Sequence, residues 1–210
     1  MKKWWKVPLI VALFTLGCTI FVLTPPAIGP VTTNQLIAYE RSVTPKIEAF
    51  DNYGNHLWWA SGVWIDSRHV LTAAHVVQAD EEGRGTPTCW LISGKYSATK
   101  VKIDVNHDVA MLTLDEERVG PMAQISQEPL KVGDEVVMCG WVMGMGLETT
   151  WGRVANVVGQ GLAEGDVVCG IACGPGASGG PVFRGGKVVG IVSRGVPGFL
   201  VIEPICMGVK

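Results

Sequence analysis

This 210-residue chain is poor in several things that most binding proteins need. Charged residues make up 17% of it, the formal net charge is -2, and no basic block occurs beyond the N-terminus. Nucleic acid is therefore not expected as a partner, because such partners draw on clustered lysine and arginine. No long stretch carries the 3.6-residue apolar period, apart from a short turn of helix at residues 73–77, so a helical bundle is not expected. The two halves do not repeat each other, and no tract is of low complexity. Zinc-type ligand spacing is also missing: Cys169-x-x-x-Cys173 has no second pair, and all four histidines lie far from it in sequence. No metal and no cofactor are expected.

What is present suits a β protein. Apolar residues reach 48%, enough to form a core, and 27 glycines and 12 prolines are spread without a period. That combination fits many short strands joined by tight turns. Apolar or alternating runs predict strands at 46–50, 57–66, 69–72, 90–92, 99–105 and 109–114. The polar, proline-containing stretches 115–119 and 126–129 read as a linker. Further strands are predicted at 135–141, 149–158, 166–171, 180–183, 187–193 and 199–204. This is about six on each side of the linker.

Residues 1–30 stand apart as a signal anchor or signal peptide. Lys2, Lys3 and Lys6 precede a 17-residue apolar run, residues 7–23, followed by Pro25 and Pro26. The run is long for a cleaved signal and short for a membrane span. Pro30 directly after Ala27-Ile28-Gly29 disfavours cleavage there, and Leu16-Gly17-Cys18 is a weak lipoprotein match. An uncleaved anchor with the lysines on the cytoplasmic side is favoured, placing the rest of the chain outside the cytoplasm, membrane-anchored or secreted. Residues 31–44 read as a spacer. Export would permit disulfides among the five remaining cysteines, with Cys139–Cys206 and Cys169–Cys173 as candidate pairs and one thiol left over.

Three residues carry candidate chemistry. His75 lies in Thr72-Ala73-Ala74-His75, Asp108 in His107-Asp108-Val109-Ala110, and Ser178 in Gly176-Ala177-Ser178-Gly179-Gly180-Pro181. Each alone has a bland explanation, as a structural histidine, a turn acid or a loop serine. Together they supply what acyl transfer requires. A serine hydroxyl needs an adjacent base, a histidine can take and return its proton, and a carboxylate fixes the imidazole tautomer. Glycines let the backbone aim N–H donors at a developing oxyanion, and those of Gly176 and Ser178 are the candidates. Gly176-x-Ser178-x-Gly180 also matches the nucleophile elbow of α/β-hydrolases. That fold requires a histidine after the serine, and here His56, His69, His75 and His107 all come before it.

In this order, His then Asp then Ser, the three motifs resemble those of the chymotrypsin/trypsin-like serine peptidases, from about Pro45 to Pro204. Ser61-Gly62-Val63-Trp64-Ile65 and Gly133-Asp134-Glu135-Val136-Val137 look most like the bacterial HtrA/Deg-type members, as does the stretch 199–205. The resemblance implies an all-β fold of two six-stranded antiparallel barrels, about 45–118 and 130–210, behind an N-terminal hydrophobic helix. Together they form one peptidase domain, 45–210. It further implies a serine endopeptidase acting on polypeptides without a freed N-terminus, since no Ile-Val-Gly-Gly activation site is present. The 210 residues leave no room for a PDZ domain. By the same resemblance Ala172 sits at the floor of the S1 pocket, and Ser193, Gly195 and Gly198 belong to the substrate-binding walls. With no acid at the floor, cleavage after small-to-medium apolar residues, with aromatic ones as the alternative, is expected rather than after lysine or arginine. The alternatives are a catalytically silent exported β-barrel that binds without cleaving, and an esterase on the same residues.

Overall fold

The computed structural model of the chain describes residues 32–79, 85–157, 167–196 and 199–204. The hydrophobic segment 1–30, Gly198 and Cys206 lie outside them. Among the described residues no helix is long and apolar enough to cross a membrane.

Among the described residues fourteen strands form two seven-stranded sheets. The first sheet contains β1 (Lys46–Phe50), β2 (His56–Ser61), β3 (Val63–Trp64), β4 (His69–Thr72), β5 (Cys89–Ile92), β6 (Tyr96–Asp104) and β7 (Val109–Leu114), in spatial order β2-β1-β5-β6-β7-β4-β3. Its two ends, β2 and β3, are consecutive in the chain and meet through Gly62, so the sheet curls on itself. A methyl group at Gly62 would press on Val70 and Ile47 at under 3 Å. Glycine is what allows the chain to bend this close to its own core.

The second sheet contains β8 (Gln124–Ile125), β9 (Glu135–Val142), β10 (Gly146–Asn156), β11 (Val167–Cys169), β12 (Pro181–Arg184), β13 (Lys187–Val196) and β14 (Phe199–Pro204). The order β12-β9-β10-β11-β14-β13 is closed by β12 pairing with β13, and β8 adds in parallel outside the ring. All other pairings are antiparallel. Each sheet thus has six main strands and one two-residue strand, close to the expected six and six.

The period-2 pattern explains which faces are inside. In β1, Ile47 and Ala49 are buried and alternate with half-exposed Lys46, Glu48 and Phe50. In β7, Ala110, Leu112 and Leu114 alternate in the same way. These residues, with Trp64, Val70, Trp90 and Ile92, fill the first barrel. Met138, Val154, Cys169, Val189, Leu200 and Ile202 fill the second. A third cluster, Val43, Val63, Leu71, Cys139, Phe183, Val188 and Ile191, is shared by strands of both sheets. It fixes the two barrels against each other.

Two features depart from the sequence reading. Thr33–Ser42, inside the segment read as a spacer, is a ten-residue helix, α1. Thr32 caps it: the Gln35 N–H donates to Thr32 Oγ1 and the Gln35 side chain accepts from the Thr32 N–H, a reciprocal capping box. Only Glu40 of α1 is buried, so the helix has no apolar stripe for periodicity to detect. The second departure concerns the cysteines: Cys89, Cys139, Cys169 and Cys173 are free thiols, so the candidate pair Cys169–Cys173 is not formed.

Candidate active site

His75 lies on a single-turn 3-10 helix, Ala74–Val76, directly after β4, as the short turn at 73–77 predicts. Its ring is exposed while its neighbours Ala74 and Val76 are buried, so the turn is anchored and the imidazole projects outward. Asp108 sits just before β7 with φ 43°, a left-handed conformation that aspartate tolerates better than most residues. The two turns that carry them are joined at three points. The Asp108 carbonyl accepts from the Ala74 N–H at 3.0 Å, and its Oδ1 accepts from the His75 N–H at 3.0 Å. His75 Nδ1 lies 2.9 Å from Asp108 Oδ2. With Nδ1 carrying the proton toward this carboxylate, Nε2 is left as the basic nitrogen.

A fourth bond arrives from the second barrel. The Ser193 hydroxyl donates to Asp108 Oδ2 at 2.6 Å. Ser193 is the odd residue of a β-bulge in β13, where the register with β14 shifts between Val192 and Arg194. Bulges re-aim side chains, and this one turns the serine onto the carboxylate. The sequence reading placed Ser193 on a substrate-binding wall. Its hydroxyl also bonds Asp108, and a bulge has no signature in the alternating apolar pattern that could have revealed this contact. Burial pushes the Asp108 carboxyl up, but the hydrogen bond and charge of His75, with the Ser193 hydroxyl and His75 N–H, outweigh it. They hold the pKa below the ordinary aspartate value. Asp108 is thus a carboxylate across the neutral range, as an imidazole-orienting group must be.

Ser178 is half-buried in a loop folded by its own backbone. Ala177 donates to Gly174 O at 3.1 Å and Gly180 to Ala177 O at 2.9 Å. Gly179 donates to Val192 O at 2.8 Å, and Val192 returns a bond to Gly180 O at 2.9 Å. Gly176 and Gly179 have φ of 92° and 74°. A methyl group at Gly179 would overlap Thr72 Oγ1 and reach 2.7 Å from the Ala73 backbone nitrogen. Only glycine fits there, and the contact sets the serine loop against the residues that lead into His75.

Ser61, fully buried, is the residue the sequence reading did not single out. Its N–H donates to Ser178 O at 2.9 Å and its hydroxyl to Gly176 O at 2.7 Å, while its own oxygen accepts from the Trp141 N–H at 2.8 Å. The Thr72 hydroxyl holds the Ser61 carbonyl at 2.8 Å. Both carbonyls flanking Ala177 are therefore engaged from behind. The Pro175 carbonyl is engaged too, by the Met143 N–H at 2.6 Å. Among the described residues, neither the Gly176 N–H nor the Ser178 N–H donates to a protein acceptor, and Ser178 Oγ has no protein partner. Two unspent donors beside a free hydroxyl form a pocket that can receive an oxyanion.

Beside this loop, Ala172 and Gly195 are exposed, and Cys173 Sγ packs directly against the Gly195 backbone. Among the described residues no His, Cys, Asp and Glu cluster could hold a metal ion.

Comparison with known proteins agrees with this geometry. Residues 60–191 match the family model of the trypsin-like peptidase domain. The chain is 32% identical over 131 residues to a probable periplasmic serine endoprotease, DegP-like, of Halomonas elongata, covering 60% of this chain and 27% of that protein. It thus spans about a quarter of that relative's length. It is 30% identical over 206 residues to a trypsin of Simulium vittatum, covering 80% of this chain and 81% of that one. Among solved structures, the active form of the Rv3671c protease from M. tuberculosis superposes with a TM-score of 0.68 at 23% identity, covering 88% of this chain and 90% of that one. The serine endoprotease from Yersinia pestis gives a TM-score of 0.68 at 20% identity, covering 83% and 63%. At these identities the two structures speak for the two-barrel fold.

Proposed function

On the premise that the chain belongs to the trypsin-like peptidase domain family, as a serine-type endopeptidase, we propose that it cleaves polypeptides by acyl transfer through Ser178. His75 Nε2 takes the proton of Ser178 Oγ as the oxygen attacks the scissile carbonyl, and later delivers it to the leaving amine. Asp108 keeps the imidazole in the right tautomer and stabilises its charged form. The N–H groups of Gly176 and Ser178 receive the oxyanion. The observation that carries this reading is the Asp108 network, in which the carboxylate accepts from the His75 N–H, lies 2.9 Å from His75 Nδ1 and accepts from the Ser193 hydroxyl. Among the described residues Ser178 Oγ has no protein partner, and its bond to the imidazole is proposed to form when substrate closes the site, a common behaviour of catalytic hydrogen bonds. A fluorophosphonate probe tests the proposal. Labelling of the wild type but not of Ser178→Ala is expected; a correctly folded wild type that takes no label would make the chain a silent binding module instead.

The specificity proposal is cleavage after small-to-medium apolar residues. It is supported by the uncharged Ala172 at the expected pocket floor and by the Cys173 thiol against Gly195, both apolar surfaces. A peptide library cut by the purified protein is expected to show aliphatic P1 residues, and a strong preference for lysine or arginine would refute it. We also propose that the domain works outside the cytoplasm, led there by the apolar segment 7–23 behind Lys2, Lys3 and Lys6. The relative from Halomonas elongata is itself described as periplasmic.

A further inference from the structure

The turn that presents Asp108 is held from the second barrel at two points, and only one of them has a role in the chemistry above. The other is the residue before it. His107 Nδ1 lies 3.2 Å from Oε1 of Glu203 on β14. Glu203 is 8% exposed, whereas 60% of the His107 side chain is open to solvent. A carboxylate buried on a barrel strand is costly without hydrogen-bonding partners, and the imidazole of His107 reaches in to supply one.

We propose that His107 is a positioning residue for the reaction, a latch that fixes the orientation of Asp108 by tying its turn to Glu203. The inference rests on the peptidase reading above. Its basis is geometric. Glu203 pairs with Ile191, and Ile202 with Val192, so the two anchors stand on neighbouring strands, Ser193 lying two residues along β13 from the partner of Glu203. They grip consecutive residues of the first barrel, His107 and Asp108. Within the first barrel the turn is already tied to Ala74 and His75, so what these two bonds add is its placement against the second barrel. The Ser193 bond alone would fix that placement at one point, and the bond to the preceding side chain fixes it at a second.

The need for such a restraint is visible in the turn itself. Asp108 occupies a left-handed conformation with φ 43°, which a surrounding structure must enforce. Its carboxylate must meet the His75 N–H and Nδ1 and the Ser193 hydroxyl at once. A displacement of an ångström at such a site can cost on the order of 100-fold in rate. The two barrels are separate hydrogen-bonded sheets, so their relative placement reaches Asp108 through side chains of this kind. The latch makes the orientation of the His75–Asp108 pair depend on the second barrel, which carries Ser178.

The experiment measures kcat on a small peptide substrate per active site titrated with a fluorophosphonate, together with Tm. Loss of the latch in His107→Ala is expected to lower kcat per titrated site about tenfold with KM within about twofold, the mark of a disoriented catalytic group rather than lost binding. His107→Asn, whose amide can still donate to Glu203, is expected to restore most of the loss. Glu203→Gln, isosteric but uncharged, is expected to fall in the same direction. An unchanged kcat per titrated site in His107→Ala, with only Tm lowered, would overturn the latch and leave a structural ion pair; so would failure of His107→Asn to recover activity. If the wild type itself cannot be titrated, the peptidase reading has failed, which is a different result from a titratable His107→Ala with full activity.

Discussion

Ser178→Ala is expected to lower kcat for peptide hydrolysis on the order of 10⁶-fold while leaving Tm nearly unchanged. The loss is large because a nucleophile, its base and the orienting acid act as one unit, and removing the atom that forms the covalent bond removes the route. What remains is substrate binding and the Gly176 and Ser178 N–H groups, which alanine keeps. Stability should hardly move, because Ser178 Oγ bonds no protein group among the described residues and the side chain is half-buried. The loop is shaped by its backbone, by Ser61 and by Gly179 against Thr72. Asp108 is the opposite case. Its side chain accepts from the His75 N–H, the His75 ring and the Ser193 hydroxyl, so changing it would disturb folding and chemistry together. Ser178 is therefore the cleaner test. Hydrolysis of a peptide within about tenfold of wild type by Ser178→Ala, measured by steady-state kinetics after removal of contaminating protease, would exclude acyl transfer through this serine.

The strand pattern was readable because each barrel has one wet and one dry face. The alternation in 46–50 and the apolar or alternating runs at 109–114, 69–72 and 199–204 coincide with β1, β7, β4 and β14 end to end. The three motifs were readable because glycine, serine and histidine in those patterns serve few other purposes together. What escaped was set by tertiary geometry. Ser61 was visible only as part of a motif, since nothing local says that its N–H and hydroxyl will grip the backbone around Ser178. The bond from Ser193 to Asp108 escaped because a bulge, and not a pattern, aims the hydroxyl there. The helix α1 hid because its buried residue is an acid rather than an apolar stripe, although Thr32-x-x-Gln35 is a capping-box signature that could have announced it.

That buried acid leads to the second large effect. Glu40 is 1% exposed, and neither of its carboxyl oxygens has a hydrogen-bond partner. The groups near it do not compensate. The Thr44 hydroxyl is spent on the Glu40 backbone carbonyl. The Arg41 guanidinium donates to Leu147 O and Thr149 Oγ1. The Cys139 thiol, pushed up to about 11 by burial, stays neutral. Burial therefore raises the Glu40 pKa from 4.5 to about 7. An acid whose folded pKa lies above its unfolded value holds its proton more tightly when folded, so unfolding releases a proton and stability falls as pH rises. The contribution is fully present below about 4.5 and is gone once pH has passed through about 7. Between pH 5 and pH 8 this one group is expected to remove about 2.5 kcal/mol, a Tm decrease of roughly 5–10 °C for a domain of this size. The aspartates run the other way. Asp66, Asp108 and Asp134, with pKa values below 3.8, lose their stabilising contribution only as pH falls below that value, outside this window. The measurement must be differential, so that every group other than Glu40 cancels. Glu40→Gln keeps the shape of the protonated acid and cannot ionise. Urea unfolding is expected to find the variant's advantage over the wild type growing by about 2.5 kcal/mol between pH 5 and pH 8. Parallel pH profiles for the two proteins would show that the Glu40 carboxyl ionises without cost, and that the α1 contact carries no proton linkage.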